Sequence, residues 1–176
     1  GYPVFRFDRR GVGDSEGENL GFQHSSADIG EALSAFRTER PGLTRVIAFG
    51  NCDAASALML NSGGGADALV LSNPWTIESD DESPPPAAIR ARYSSKLRDP
   101  KEWLRLARGQ VSLGKLAKGL VRAAGPAPAP TSLAQHMKGG LEGFSGPVRI
   151  LLAERDRTAQ AFLSCWDGAD PRLLHC

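Results

Sequence analysis

Three kinds of side chain in this sequence have the types and order needed to attack a carbonyl: a thiol, a carboxylate and an imidazole. The thiol is Cys52, in the stretch Gly50-Asn51-Cys52-Asp53-Ala54. The residues before it are apolar, as in a strand covered on both faces, and residues 54–60 are a run of good helix formers. A nucleophile held on such a sharp strand-to-helix turn needs small residues two before and two after it, because the backbones there approach closely. Gly50 and Ala54 meet that requirement. The thiol then stands at a helix N-terminus, where the dipole favours thiolate and the backbone N–H of Asp53 can serve an oxyanion. The competing interpretation is a small buried hydrophobe, which is what most free cysteines are.

An activated thiol needs a base, and the base needs an orienting carboxylate. Asp156 follows the strand-like stretch Arg149-Ile150-Leu151-Leu152-Ala153 and is the first choice for that acid, with Glu154 second. For both, the alternative is a solvated loop charge balanced by Arg155 and Arg157. The base must come from His24, His136 or His175. His24 precedes the nucleophile at a helix entrance, and His136 lies in an apparent insertion. His175 has the right order along the chain but belongs to a strand pattern, so a histidine beyond Cys176 is the other expectation. Asn51, Asn73 and Trp75 flank the strand ends and are candidates for substrate contact, although a plain core tryptophan accounts for Trp75 equally well.

The glycine-rich stretch Asp8-Arg9-Arg10-Gly11-Val12-Gly13-Asp14-Ser15 has the spacing G-x-G-x-x-x-G, and no helix begins there. The phosphate-cradling geometry of a dinucleotide loop is therefore lost, and no cofactor is expected. The three cysteines, Cys52, Cys165 and Cys176, lack C-x-x-C spacing, which argues against a metal site and against a secreted disulfide framework. A reducing, cytoplasmic compartment fits them.

The elements that must position these groups alternate. Residues 3–8 read as a strand, residues 25–40 as an amphipathic helix with Ile29, Leu33 and Phe36 on one face, and Ser25-x-x-Asp28 as its capping box. Residues 45–49 give a second strand, 54–60 a second helix, 61–65 a flexible turn, 68–72 a third strand and 147–153 a further one. Strand and helix in alternation imply a parallel sheet with right-handed crossovers. Between residues 76 and 146 the pattern changes to an acidic and proline-rich loop, a basic helical stretch anchored by residues such as Tyr93, Trp103 and Leu113, and a second proline tract. This segment reads as a helical insertion between two strands rather than a disordered linker, which would not carry those aromatic and leucine residues.

With 21 basic and 20 acidic side chains in 176 residues, no global field draws nucleic acid or an anionic membrane. No apolar run is long enough to span a bilayer. Residue 1 is not methionine and runs directly into a strand pattern, and residues 172–176 look like a strand being entered. The expectation is therefore a partial domain that lacks earlier strands and a later end.

Several stretches together resemble a known family: PVFRFDRRGVGDSEG, FGNCDAASA, LVLSNPW, RYSSKLRDPKEWLRLARGQ and LLAERDRTAQAF. They are similar to the α/β-hydrolases called exosortase A system-associated hydrolase 1, themselves like the serine aminopeptidase hydrolases. The resemblance spans nearly all of the chain. It implies an α/β-hydrolase fold, a mostly parallel sheet flanked by helices with a helical cap at residues 76–146, encoded near exopolysaccharide and protein-sorting systems. It also implies that Asp8, Arg10 and Ser15 fix a structural turn beside the active site. The expected chemistry is cleavage of an ester, thioester or amide on a small-molecule or glycan-linked acyl substrate, with Cys52 as nucleophile. Acyl transfer, or a non-catalytic relative that keeps only the binding pocket, are the alternatives.

Overall fold

The structure, a computed structural model, describes residues 1–78 and 131–175. Four strands form its sheet: β1 (Ile47–Asn51), β2 (Ala68–Ser72), β3 (Val148–Leu152) and β4 (Leu173–His175). They lie in the order β1-β2-β3-β4, and every neighbouring pair is parallel. The helices are α1 (Ser26–Glu39), α2 (Asp53–Leu60), α3 (Ser132–Glu142) and α4 (Arg157–Cys165). The alternation expected of a parallel α/β sheet is thus present.

The register explains where the core sits. Ala48, Leu69 and Val148 are neighbours across the sheet, and so are Gly50, Leu71, Ile150 and Leu173. In a parallel sheet such rows share a face. Leu69, Leu71, Val148, Ile150 and Leu152 on that face are buried and join Met59 of α2, Met137 and Leu141 of α3, and Phe162 of α4 in one apolar cluster. The opposite rows do not behave this way. Ile47 and Phe49 remain 63% and 65% exposed, and Arg149, two strands along the row of Phe49 and Val70, is exposed too. Each connection advances one strand in the same direction, so right-handed crossovers would place all the intervening helices on one face. Burial follows that rule.

One expected strand is not formed. Residues 3–8 run without a ladder partner among the described residues, and Tyr2 and Val4 are almost fully exposed. Phe5 instead stacks on Phe36 of α1, with ring centroids 5.3 Å apart. The apolar alternation of this segment is real, but alternation does not supply a neighbouring edge. The α1 helix forms as expected, with Ile29 buried and Leu33 against the core. Its capping box does not. The Ser25 side chain makes no cap bond, and its buried hydroxyl has no partner among the described residues. Asp28 is occupied instead by Arg10, 2.7 Å from its Nε, and a charge-assisted pair outcompetes a neutral cap.

The segment from 76 to 146 is described only at its two ends. Glu78 accepts from the Ser132 hydroxyl at 2.7 Å and the Leu133 N–H at 2.6 Å, while the Thr131 hydroxyl donates to the Thr76 carbonyl at 3.3 Å. The chain therefore leaves and re-enters the sheet layer at one point. Its final part, α3, buries Leu133, Met137 and Leu141 in the main core. Residues 79–130, including the stretch at 92–110 quoted above and the anchors Tyr93, Trp103 and Leu113, lie outside the described residues.

Candidate active site

The carboxyl ends of parallel strands carry the loops that vary on a rigid frame, and the candidate residues gather there. Cys52 sits between the last residue of β1 and the first of α2, with φ 58° and ψ −119°. A non-glycine residue in this region is strained, and such strain persists only where surrounding contacts hold it. Three contacts do so. The Cys52 N–H donates to the Ser72 carbonyl at 2.9 Å, and the Cys52 carbonyl accepts from Ser56 N–H at 3.2 Å and Trp75 N–H at 3.3 Å. Gly50 has no room for a side chain: a Cβ there would lie 2.6 Å from the Ala55 nitrogen and 2.7 Å from the Ala54 carbonyl. The requirement for a small residue at that position is met as the spacing predicts.

The thiol is half-buried and its pKa is raised, first by desolvation and then by the negative charges of Asp53 and Asp156. The Asp53 backbone N–H acts the other way, favouring thiolate, but does not prevail. The dipole argument from sequence gave the opposite direction. Burial outweighs a helix end only two turns long.

Asp156 closes the start of α4. Its Oδ1 accepts from Thr158 N–H at 2.8 Å and Ala159 N–H at 3.0 Å, an N-cap. Its charge reaches Cys52 and contributes to raising the thiol pKa, although the two lie more than a hundred residues apart in sequence. Asn73, with φ 43°, donates its N–H to the Leu151 carbonyl and accepts Ala153 N–H at its Oδ1, both at 2.9 Å. It thereby ties the ends of β2 and β3 together. Trp75 is half-buried against the core and its Nε1 donates to the Ile77 carbonyl at 2.7 Å. Asn51 is exposed at the end of β1.

His175 is not brought to the thiol. It ends β4, paired in register with Leu152, three strands from the β1 edge. At about 4.8 Å per strand the separation is roughly 14 Å, beyond what an imidazole and a thiol span. His136 lies on α3, where its charge acts on Glu78. His24 lines a small open depression together with Arg9, Arg10, Glu18 and Asp28; Cys52 does not line it. Among the described residues no group of three or more metal-ligating side chains converges.

The loop of residues 8–21 is fastened as a turn. The Ser15 hydroxyl donates to the Asp8 carbonyl at 2.7 Å, and Arg10 pairs with Asp28. A contact not anticipated from the sequence starts from the same loop: Arg9 Nη2 lies 3.5 Å from Asp53 Oδ2, beside the thiol. Two adjacent arginines carry no sign in the sequence of which one turns toward which helix.

Fold and site define a small parallel α/β sheet carrying a strained cysteine at a strand-to-helix turn. Comparison of the chain with protein-family models and with curated proteins returned no match.

Proposed function

We propose that the protein is an α/β-hydrolase-type enzyme that forms an acyl-cysteine intermediate on Cys52. The observation that carries this reading is the backbone of Cys52, held at φ 58° and ψ −119° on the turn from β1 into α2. Holding a non-glycine residue in that conformation costs about 1–3 kcal/mol, and strain of this kind gathers at strand-to-helix turns that carry a nucleophile. In the reaction the sulfur attacks the carbonyl carbon, the alcohol or thiol departs with a proton, and water then attacks the thioester to release the acid and the free thiol. An amine or sugar hydroxyl in place of water gives acyl transfer. Asp156 is the acid of the constellation. A base is still required, since a thiol with a raised pKa is almost entirely protonated at pH 7. The resemblance described above supplies the wider expectation of a glycan-linked or small acyl substrate.

The raised thiol pKa and the distance of His175 favour a second reading, a binding protein of the same fold that has lost the chemistry. One experiment separates them. The chain is incubated with a short-chain aryl ester or thioester, and intact mass and peptide mapping are recorded. The enzyme reading expects one acyl adduct on Cys52, absent in Cys52→Ala and weak in Cys52→Ser, with the far-ultraviolet spectrum unchanged. Absence of any adduct on folded protein transfers the assignment to the binding reading.

A further inference from the structure

We propose that Arg9 sets the reactivity of Cys52 from outside its own element, by holding and neutralising the Asp53 carboxylate that stands next to the thiol. The inference rests on the acyl-cysteine reading for its biological meaning, although its test needs no turnover. Asp53 is the first residue of α2, and its two oxygens are divided. Oδ1 accepts the Ala54 N–H at 2.8 Å, and Oδ2 faces Arg9 Nη2 at 3.5 Å. Arg9 is itself positioned, because its Nη1 donates to Asn19 Oδ1 at 3.1 Å and its side chain is only 22% exposed. The next residue, Arg10, turns the other way to Asp28 and Glu31 of α1. The loop thus distributes two guanidinium groups between two helices.

The charges facing Cys52 are those of Asp53 from α2 and Asp156 from the N-cap of α4, and both oppose thiolate. Arg9 is in direct contact with the nearer one. Around Arg9 itself lie Arg10, Glu18, His24 and Asp28, which line the same depression. Removing the Arg9 charge leaves Asp53 unbalanced beside the sulfur. The Asp53 carboxylate then keeps only its bond from the Ala54 N–H, and its Oδ2 is no longer drawn toward Arg9 and away from the sulfur. Arg9 is therefore a positioning residue, acting on the thiol only through Asp53.

The test is a double-mutant cycle read by thiol alkylation of the full chain. Pulses of iodoacetamide from neutral to alkaline pH are followed by peptide mass spectrometry, with Cys165 in the same tube as internal reference. Arg9→Gln is expected to slow Cys52 labelling at pH 7 by about threefold, the scale of a partly exposed ion pair, and to move its pH profile upward. Asp53→Asn should speed labelling. In the Asp53→Asn background Arg9→Gln should have a much smaller effect, because the guanidinium is no longer held there, and in the wild-type background Arg9→Lys should keep most of the rate. High salt should shrink the Arg9→Gln effect, and the Cys165 profile should stay in place. An unmoved Cys52 profile overturns the proposal, and so does an Arg9→Gln effect of equal size with and without Asp53. If Arg9→Gln fails to fold, Arg9→Met, which keeps the length of the side chain without its charge, forms the same cycle with Asp53→Asn. Should esters give no adduct while the cycle holds, the acyl-cysteine reading falls and the Arg9 assignment stands.

Discussion

Asp170 shows how a single carboxylate is held by its neighbours. It accepts from Arg172 through Nε at 2.8 Å and Nη2 at 2.6 Å, from the Arg172 backbone N–H at 2.9 Å, and from Trp166 Nε1 at 2.9 Å. Arg172 also lies over the Trp166 ring, 6.0 Å from its centroid. The Arg172 hydrogen bond is the main reason its pKa falls from 3.8 to about 2. A carboxylate depressed on folding contributes stability above its unfolded pKa, and loses it as pH falls through the folded value. That contribution is about 2 kcal/mol at neutral pH. Wild type should therefore lose urea stability between pH 4 and about 2. Asp170→Asn should be weaker at pH 7 and flatter across that window, and an unchanged acid slope would remove Asp170 from the account. The setting of Cys52 was legible at this scale only in part. Glycine, cysteine and alanine at the right spacing announced the turn, whereas the direction of the thiol pKa depends on burial and on Asp156, which arrives from a distant strand end.

Elements were legible where a local signal and a packing partner coincide. The strand β3 and helix α1 follow their apolar patterns, with Val148, Ile150 and Leu152 buried on one and Ile29 on the other. Residues 3–8 carry an equally good strand pattern and form none, because pairing is a property of two segments and a sequence displays only one. The same logic applies to Ser25 and Asp28, whose capping box yields to an arginine eighteen residues upstream. Asp156 has the reverse history. Its place after a strand end suggests a catalytic acid, and what the structure shows it doing is capping α4 through Oδ1. These two roles separate by substitution. Asp156→Ala should destabilise the fold by about 1 kcal/mol through loss of the cap, measured by urea unfolding. Asp156→Ser should recover most of that stability, since serine caps as well. If adduct formation on Cys52 fails equally in both variants, the carboxylate is needed for chemistry; if serine restores it, Asp156 serves only the helix.

At the scale of the whole molecule the sheet is asymmetric. One face carries Leu69, Leu71 and Ile150 beneath three helices, and the other presents Ile47, Phe49 and Leu174 with substantial exposure. Parallel sheets usually bury both faces, so the exposed one is a surface with a tendency to associate, and among the described residues β1 has no partner on its outer edge. Among the described residues no helix is long and apolar enough to cross a membrane, and the near balance of charges gives copies little reason to repel one another. The two faces predict opposite responses to substitution. Leu71→Ala, at a fully buried position, should cost about 2–5 kcal/mol of stability by the cavity it leaves. Phe49→Ser, on the open face, should leave the urea midpoint almost unchanged and shift sedimentation toward the monomer, because the removed ring contributes more to contact between molecules than within one. A Phe49→Ser loss as large as that of Leu71→Ala would mean that this face is covered in the working protein, and that the sheet is a two-sided core after all.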